Sequence, residues 1–294
     1  MRRYAPEGAV VLAALLFGAT FPLVHDALGD IEPFAYLVLR FSIAVAVLGP
    51  FAVVLARREG EDPRRLWRAG LLAGVLLAGG YAAQTAGLKL VSPSTSAFIT
   101  GLYVVLTPLV ESVVRRRLPP RAVLGGVVIA AIGLYLLTGA TVAFSAGDLL
   151  TLLCAALFAV WLVYQDEPAK ELHPIPFTTV QMLVIVVVCL PPAAAQGVGH
   201  LSALALFAAA FTGVACSAIA LSLQVWGQRR LGPSRTALIL ILEPVFAGFA
   251  GYLNGERLGP TSLVGAVVIL AAILVAEIGS RAAPEHPELD PKPF

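Results

Sequence analysis

Charge is what this sequence has least of. Only 13% of its 294 residues are Asp, Glu, Lys or Arg, against about 25% in a soluble globular chain. With 59% hydrophobic residues, too little polar surface is left to coat a water-soluble body of this size. Cysteine is scarce too. Cys154, Cys189 and Cys216 lie inside apolar stretches at unrelated spacing, with no CxxC pair. They encode no disulfide framework and no metal site, and read as small lipid- or core-facing residues. A formal net charge of +2 argues for no nucleic acid or other acidic partner. No Walker A run or other nucleotide motif occurs, and no cofactor is expected. What remains is an all-α integral membrane protein whose first partner is the lipid bilayer.

A helix needs about 20 apolar residues to cross the hydrocarbon layer. Ten such stretches are predicted, at 8–27, 33–55, 68–88, 93–114, 120–139, 147–165, 174–195, 203–227, 235–253 and 260–279. Met1-Arg2-Arg3 before an apolar run has the outline of a signal peptide, but the run is too long for one and is read as the first span. Residues 281–294 hold four prolines and mixed charges, and are expected to be a disordered tail. Placing the N-terminus in the cytoplasm puts 17 of the 20 basic residues on that side, leaving only Lys89 and Arg257 outside and Arg40 within a span. By the positive-inside rule both termini are cytoplasmic. Arg outnumbers Lys 17 to 3, in keeping with a GC-rich bacterial genome.

The two halves also resemble each other. At an offset of 140, Gly87, Pro93, Ser94, Ala97, Arg117, Leu118, Pro120 and Gly125 meet Gly227, Pro233, Ser234, Ala237, Arg257, Leu258, Pro260 and Gly265. At 141, Leu16-Phe17 meets Leu157-Phe158, Pro33 meets Pro174, and Pro50 meets Pro191. Five spans is an odd number, so residues 141–280 enter the membrane from the side opposite to residues 1–140. Inverted repeats are how many carriers obtain two related conformations around a midplane site.

Ten spans in five-plus-five form, Leu39-Arg40-Phe41, and the pairs Thr107-Pro108 and Glu243-Pro244 resemble the drug/metabolite transporter superfamily, and its EamA-type exporters in particular. The resemblance covers residues 8–279. It implies a bacterial inner-membrane carrier exporting amino acids or other small metabolites; with two repeats available to form the pathway, no obligate protein partner is expected.

An ionisable side chain at the centre of a span costs about 2.5–3.5 kcal/mol on the insertion scale, so it faces protein or a cavity. Here the candidates are Arg40 and Glu243, at depths of about 10 and 12 Å counted at 1.5 Å per residue. Gln84, Gln181 and Gln224 add neutral amides. Gln84 and Gln224 are related by 140, Arg40 and Gln181 by 141, and Tyr103 and Glu243 by 140. Either such positions converge on a shared interface, or each glutamine joins two helices by a hydrogen bond; the second reading is preferred for Gln181.

Ser96, Thr100, Tyr103, Thr107 and Glu111 share one helix face, as do Gly213, Ser217, Ala220 and Gln224, and Tyr81 with Gln84. Together with Glu243 and its neighbours these stripes predict a substrate cavity. Its expected substrate-binding residues are Tyr81, Gln84, Thr100, Tyr103, Trp161, Ser217, Gln224 and Glu243. Trp161 fits a cavity wall and packed core equally. Gly70 and Gly74 have the small-xxx-small spacing of close helix packing. Pro108 and Pro244 are expected to kink their helices as structural or gating points, and Arg40 either holds a substrate carboxylate or is a structural partner, its shallower depth favouring the second.

The leading functional expectation is a secondary transporter exporting a zwitterionic metabolite. Glu243 is the candidate for proton coupling, since a carboxylate inside a span can cycle between charged and neutral forms, or else for binding a substrate ammonium. The alternatives are a lipid or drug flippase or facilitator of the same fold, and a membrane-embedded enzyme. The last would need clustered Asp, His or Glu, and the adjacent His25 and Asp26 lack a third ligand.

Overall fold

Many of the prolines open helices. α3, α4, α5, α10, α13 and α15 below all begin on proline, a position where the missing N–H has no intrahelical acceptor to lose. Serine hydroxyls cap others. Ser145 and Asp148 form a reciprocal capping box, and Ser202 Oγ accepts from Ala205 N at 3.1 Å.

The computed structural model describes residues 5–116, 118, 121–137 and 144–281. In chain order the helices are α1 (Ala5–Ala19), α2 (Phe21–Ala27), α3 (Pro33–Arg58), α4 (Pro63–Leu88), α5 (Pro93–Thr100), α6 (Tyr103–Val114), α7 (Arg121–Leu137) and α8 (Ala146–Tyr164). They continue as α9 (Asp166–Glu171), α10 (Pro174–Gln196), α11 (Ala203–Thr212), a π-helical segment (Gly213–Ala220), α12 (Leu221–Leu231), α13 (Pro233–Leu240), α14 (Leu242–Leu253) and α15 (Pro260–Arg281). Among the described residues the protein is all-helical, apart from one isolated bridge between Ile31 and Gly199. Among the described residues, eight helices are long and apolar enough to cross a membrane, and α7 and α15 contribute shorter apolar stretches, Leu124–Leu137 and Pro260–Ala272. Residues 120 and 138–139 of the fifth expected span and residues 282–294 of the expected tail lie outside the described residues.

The helices pack as α7 with α15, α3 with α10, α4 with α8 and α10, and α1 with α14 and α12. Small residues set the closest seams. A Cβ on Gly74 would stand 2.6 Å from Val184 Cβ, and one on Gly70 2.5 Å from Val180 Cγ1, so the small-xxx-small pair seats α4 on α10. Large apolar side chains such as Phe51, Val128, Phe207, Phe249 and Val267 remain exposed, as a lipid-facing surface requires.

Four membrane-length helices are interrupted: α1/α2 at Thr20, α5/α6 at Gly101–Leu102, α11/α12 by the π-helical segment, and α13/α14 at Ile241. Two of these breaks lie in the helices expected to kink at Pro108 and Pro244. Pro108 lies inside α6, several residues past the break at Gly101–Leu102. Pro244 is the third residue of α14, in a first turn whose N–H groups need no helical acceptor. The two breaks touch, since a Cβ on Gly101 would lie 3.1 Å from Pro244 Cγ.

Candidate functional site

The broken helices surround a cavity of about 670 Å³, a figure that includes its open part. Of the expected site residues, Tyr81, Gln84, Tyr103, Trp161, Gln224 and Glu243 line it, and so does Arg40. Thr100 and Ser217 do not. Both are fully buried and act from behind: Gln84 Nε2 donates to Thr100 Oγ1 at 3.4 Å, and Arg40 Nε donates to Ser217 Oγ at 2.8 Å.

Glu243 enters at the start of α14, beside the break that frees this end of the helix from its predecessor. Tyr103, the first residue of α6, donates its phenolic proton to Glu243 Oε2 at 3.1 Å. The other carboxylate oxygen has no protein partner and is not sealed from the cavity. The Gln224 amide is likewise unbonded among the described residues and faces the same space. Arg40 stands on α3 where the π-helical segment packs, and a Cβ on Gly213 would lie 2.7 Å from its carbonyl oxygen. The wide turn of the π-helix carries Ser217 to the guanidinium; such turns recur at functional sites.

Aromatic rings form one wall. Tyr81 packs edge-on to Phe41 and Phe158, with centroids 5.0 and 5.3 Å apart, and Phe158 neighbours Tyr103 and Trp161 at 6.3 and 6.2 Å. The Trp161 indole N–H donates to Gln181 Oε1 at 2.8 Å. Trp161 is therefore a cavity wall, and Gln181 is the helix-joining amide expected of it. Ser96, Thr107 and Thr236 are sealed in protein instead of facing the cavity. Thr107 Oγ1 donates to the Tyr103 carbonyl at 2.7 Å, and the break at Gly101–Leu102 ends the continuous polar face that periodicity predicts.

Apolar lining residues such as Phe17, Leu77, Phe158 and Leu240 carry no chemical signal in sequence. Phe17 and Phe158 had one available signal: they are equivalents at the 141 offset.

The cavity reaches Val24 and Leu88 at one end and stops at Trp161, Leu162 and Gln224 at the other. One helical turn beyond that stop, Gln165 Nε2 donates to Gln228 Oε1 at 2.7 Å, and Gln228 Nε2 donates to the Leu162 carbonyl at 2.7 Å. Both amides are fully buried. Asp166 beside them is raised in pKa by burial, against the pull of Lys170, whose Nζ is 2.7 Å away. Glu111 pairs with Arg115 at 3.0 Å, the expected rim pair, and also accepts from Ser234 Oγ at 2.7 Å. Among the described residues no group of three or more His, Cys, Asp or Glu could hold a metal ion.

A membrane-embedded helical bundle with a polar cavity bounded by broken helices is the architecture of a transporter. The sequence profile of the EamA-like transporter family matches residues 7–139 and again residues 145–277, and the chain belongs to that family. An uncharacterized transporter of Archaeoglobus fulgidus is 31% identical over 279 residues, 94% of this chain and 87% of the relative. A second uncharacterized transporter of the same organism is 27% identical over 273 residues, 92% of this chain and 95% of its own length. A solved crystal structure shares the fold with TM-score 0.68 at 19% identity, covering 93% of this chain and 96% of that one.

Proposed function

We propose that the protein is a secondary transporter that exports a small zwitterionic metabolite, an amino acid or a related compound, across the bacterial inner membrane by alternating access. It has ten spans as two inverted five-helix repeats, residues 1–140 and 141–280, with both termini in the cytoplasm. The observation that carries this reading is the hydrogen bond between Tyr103 and Glu243. Residues related by the repeat offset of 140 touch only close to the axis relating the halves, where a carrier places its substrate.

Two further observations support it. Helix partnerships exchange under the repeat: α1 packs on α14 and α12, while α8 packs on α6, α5 and α4. The cavity ends correspond as well, since Val24 and Leu88 precede Gln165 and Gln228 by 141 and 140 residues. On the positive-inside orientation the buried Gln165–Gln228 pair is the cytoplasmic gate, closed here, and Val24 with Leu88 forms its outer counterpart. Without a nucleotide motif, the driving force is the substrate gradient or protons. Glu243 binds the substrate ammonium and is the carboxylate through which protons couple.

A pool of labelled amino acids offered to proteoliposomes tests the substrate class. Saturable uptake of some members, competed by unlabelled ones, is expected. No uptake of any member by folded protein removes the amino-acid reading and turns the search to nucleosides, drugs and lipids.

Orientation is tested separately. The three native cysteines are buried, so a membrane-impermeant maleimide is expected to spare them. In intact spheroplasts it should label Asn254→Cys but reach Glu59→Cys only after lysis, both positions being exposed. The reverse pattern contradicts cytoplasmic termini.

A further inference from the structure

Arg40 is a buried cation without a counterion among the described residues. Its Nε donates to Ser217 Oγ at 2.8 Å, and its guanidinium lies 5.2 and 5.0 Å from the ring centroids of Phe41 and Tyr81. These contacts fix one edge and the orientation of the guanidinium plane. The guanidinium's further protein partners are the neutral hydroxyls of Tyr81 and Tyr36, which supply no counter-charge, and Arg40 lines the cavity. None of the ion pairs among the described residues involves Arg40, and no carboxylate lies within 4.0 Å of it. Arginine stays protonated in proteins, and a buried charge left unpaired is costly. The cavity's own carboxylate, Glu243, is turned to Tyr103 and makes no ion pair with Arg40 either. One accessible charge of each sign therefore stands on a separate wall, Arg40 on α3 and Glu243 on α14.

We propose that Arg40 is the receptor for the anionic group of the substrate, with a carboxylate seated against its guanidinium on the cavity side. A guanidinium fork held by one edge and by ring faces is preorganised for two parallel N–H···O bonds to a carboxylate. The inference rests on the transport reading of this cavity and narrows it: the ligand carries a carboxylate as well as an ammonium, and an amine lacking the carboxylate is rejected. It also replaces the structural role expected of Arg40 from its depth in the span.

The test offers labelled leucine and, separately, labelled 3-methylbutylamine, the same compound without its carboxylate, to proteoliposomes. These hold wild type, Arg40→Gln or Arg40→Lys protein, each checked for a monodisperse fold. Wild type is expected to take up leucine about tenfold or more faster than the amine, because a site built for a charged group leaves its own charge unpaired with the analogue. In Arg40→Gln leucine uptake falls while amine uptake holds or rises, so the ratio approaches one; Arg40→Lys is intermediate. An unchanged ratio in Arg40→Gln, or an equal loss of both compounds, overturns the assignment while leaving the transport reading standing. Uptake of neither compound by wild type counts against the zwitterion reading of the cavity itself, and the Arg40 assignment falls with it.

Discussion

Glu243→Gln is expected to abolish uptake of a zwitterionic substrate, lowering its rate by about 30-fold or more, the loss that follows when one partner of a desolvated charge pair is removed. The change is nearly isosteric, and the amide oxygen can still accept the Tyr103 hydroxyl. Folding should therefore survive, and the melting temperature should hold or rise, because replacing an unpaired buried charge is often neutral or stabilising. Uptake and exchange are to be measured side by side, with and without a pH gradient. If Glu243 binds the substrate ammonium, both vanish in the variant. Exchange that persists while gradient-driven uptake disappears would assign the carboxylate to proton coupling alone. Unchanged transport with an unchanged pH profile would remove Glu243 from the mechanism.

The second large effect comes from the smallest possible substitution. Gly18 of α1 lies against the start of α14, where a Cβ would run into the carbonyl oxygen of Glu243 and stand 2.8 Å from Phe246 Cβ and 3.0 Å from Ala247 N. Two of these neighbours are backbone atoms, which cannot rotate away. Gly18→Ala is expected to push α1 from α14 at the level of the carboxylate and to destabilise by about 1–3 kcal/mol, the usual cost of overpacking. Transport should fall further than stability, since the displaced segment carries Glu243. Gly49→Ala is the control: nothing lies within 4 Å of its added Cβ, and alanine favours the helix by about 1 kcal/mol. Thermal unfolding of both proteins, set beside their uptake rates, checks this. A Gly18→Ala protein as active and stable as the Gly49→Ala control would show that the α1–α14 seam is not a constraint.

Much of the bundle was legible in the sequence because the bilayer imposes it. Apolar length marks the membrane helices, and the prolines that open α3, α4, α5, α10, α13 and α15 mark where they start. Ionisable and amide groups inside spans were legible as site residues for the same reason: hydrocarbon offers them no partner, and Arg40, Gln84, Gln224 and Glu243 all face the cavity. Periodicity did less well. It tells which side chains share a helix face, but not which neighbouring groove that face meets once the helix breaks. Thr100 and Ser217 thus support the cavity wall from behind instead of lining it. The interruptions fall at Gly101–Leu102 and Ile241, before Pro108 and Pro244, and the second lies within the i−4 hydrogen-bonded loop that Pro244 cannot close. Leucine and phenylalanine walls such as Leu77 and Phe158 were beyond reach, since an apolar residue facing a cavity and one facing a neighbouring helix look alike.

The central claim, a carrier that moves a zwitterion through the cavity holding Arg40 and Glu243, is tested most directly by counterflow. Proteoliposomes are preloaded with unlabelled leucine and diluted into a trace of labelled leucine, with no ion gradient. Wild type is predicted to concentrate the label transiently above its equilibrium level, while empty vesicles and Glu243→Gln vesicles do not. Folded wild-type protein whose vesicles fill no faster than empty ones would contradict the account.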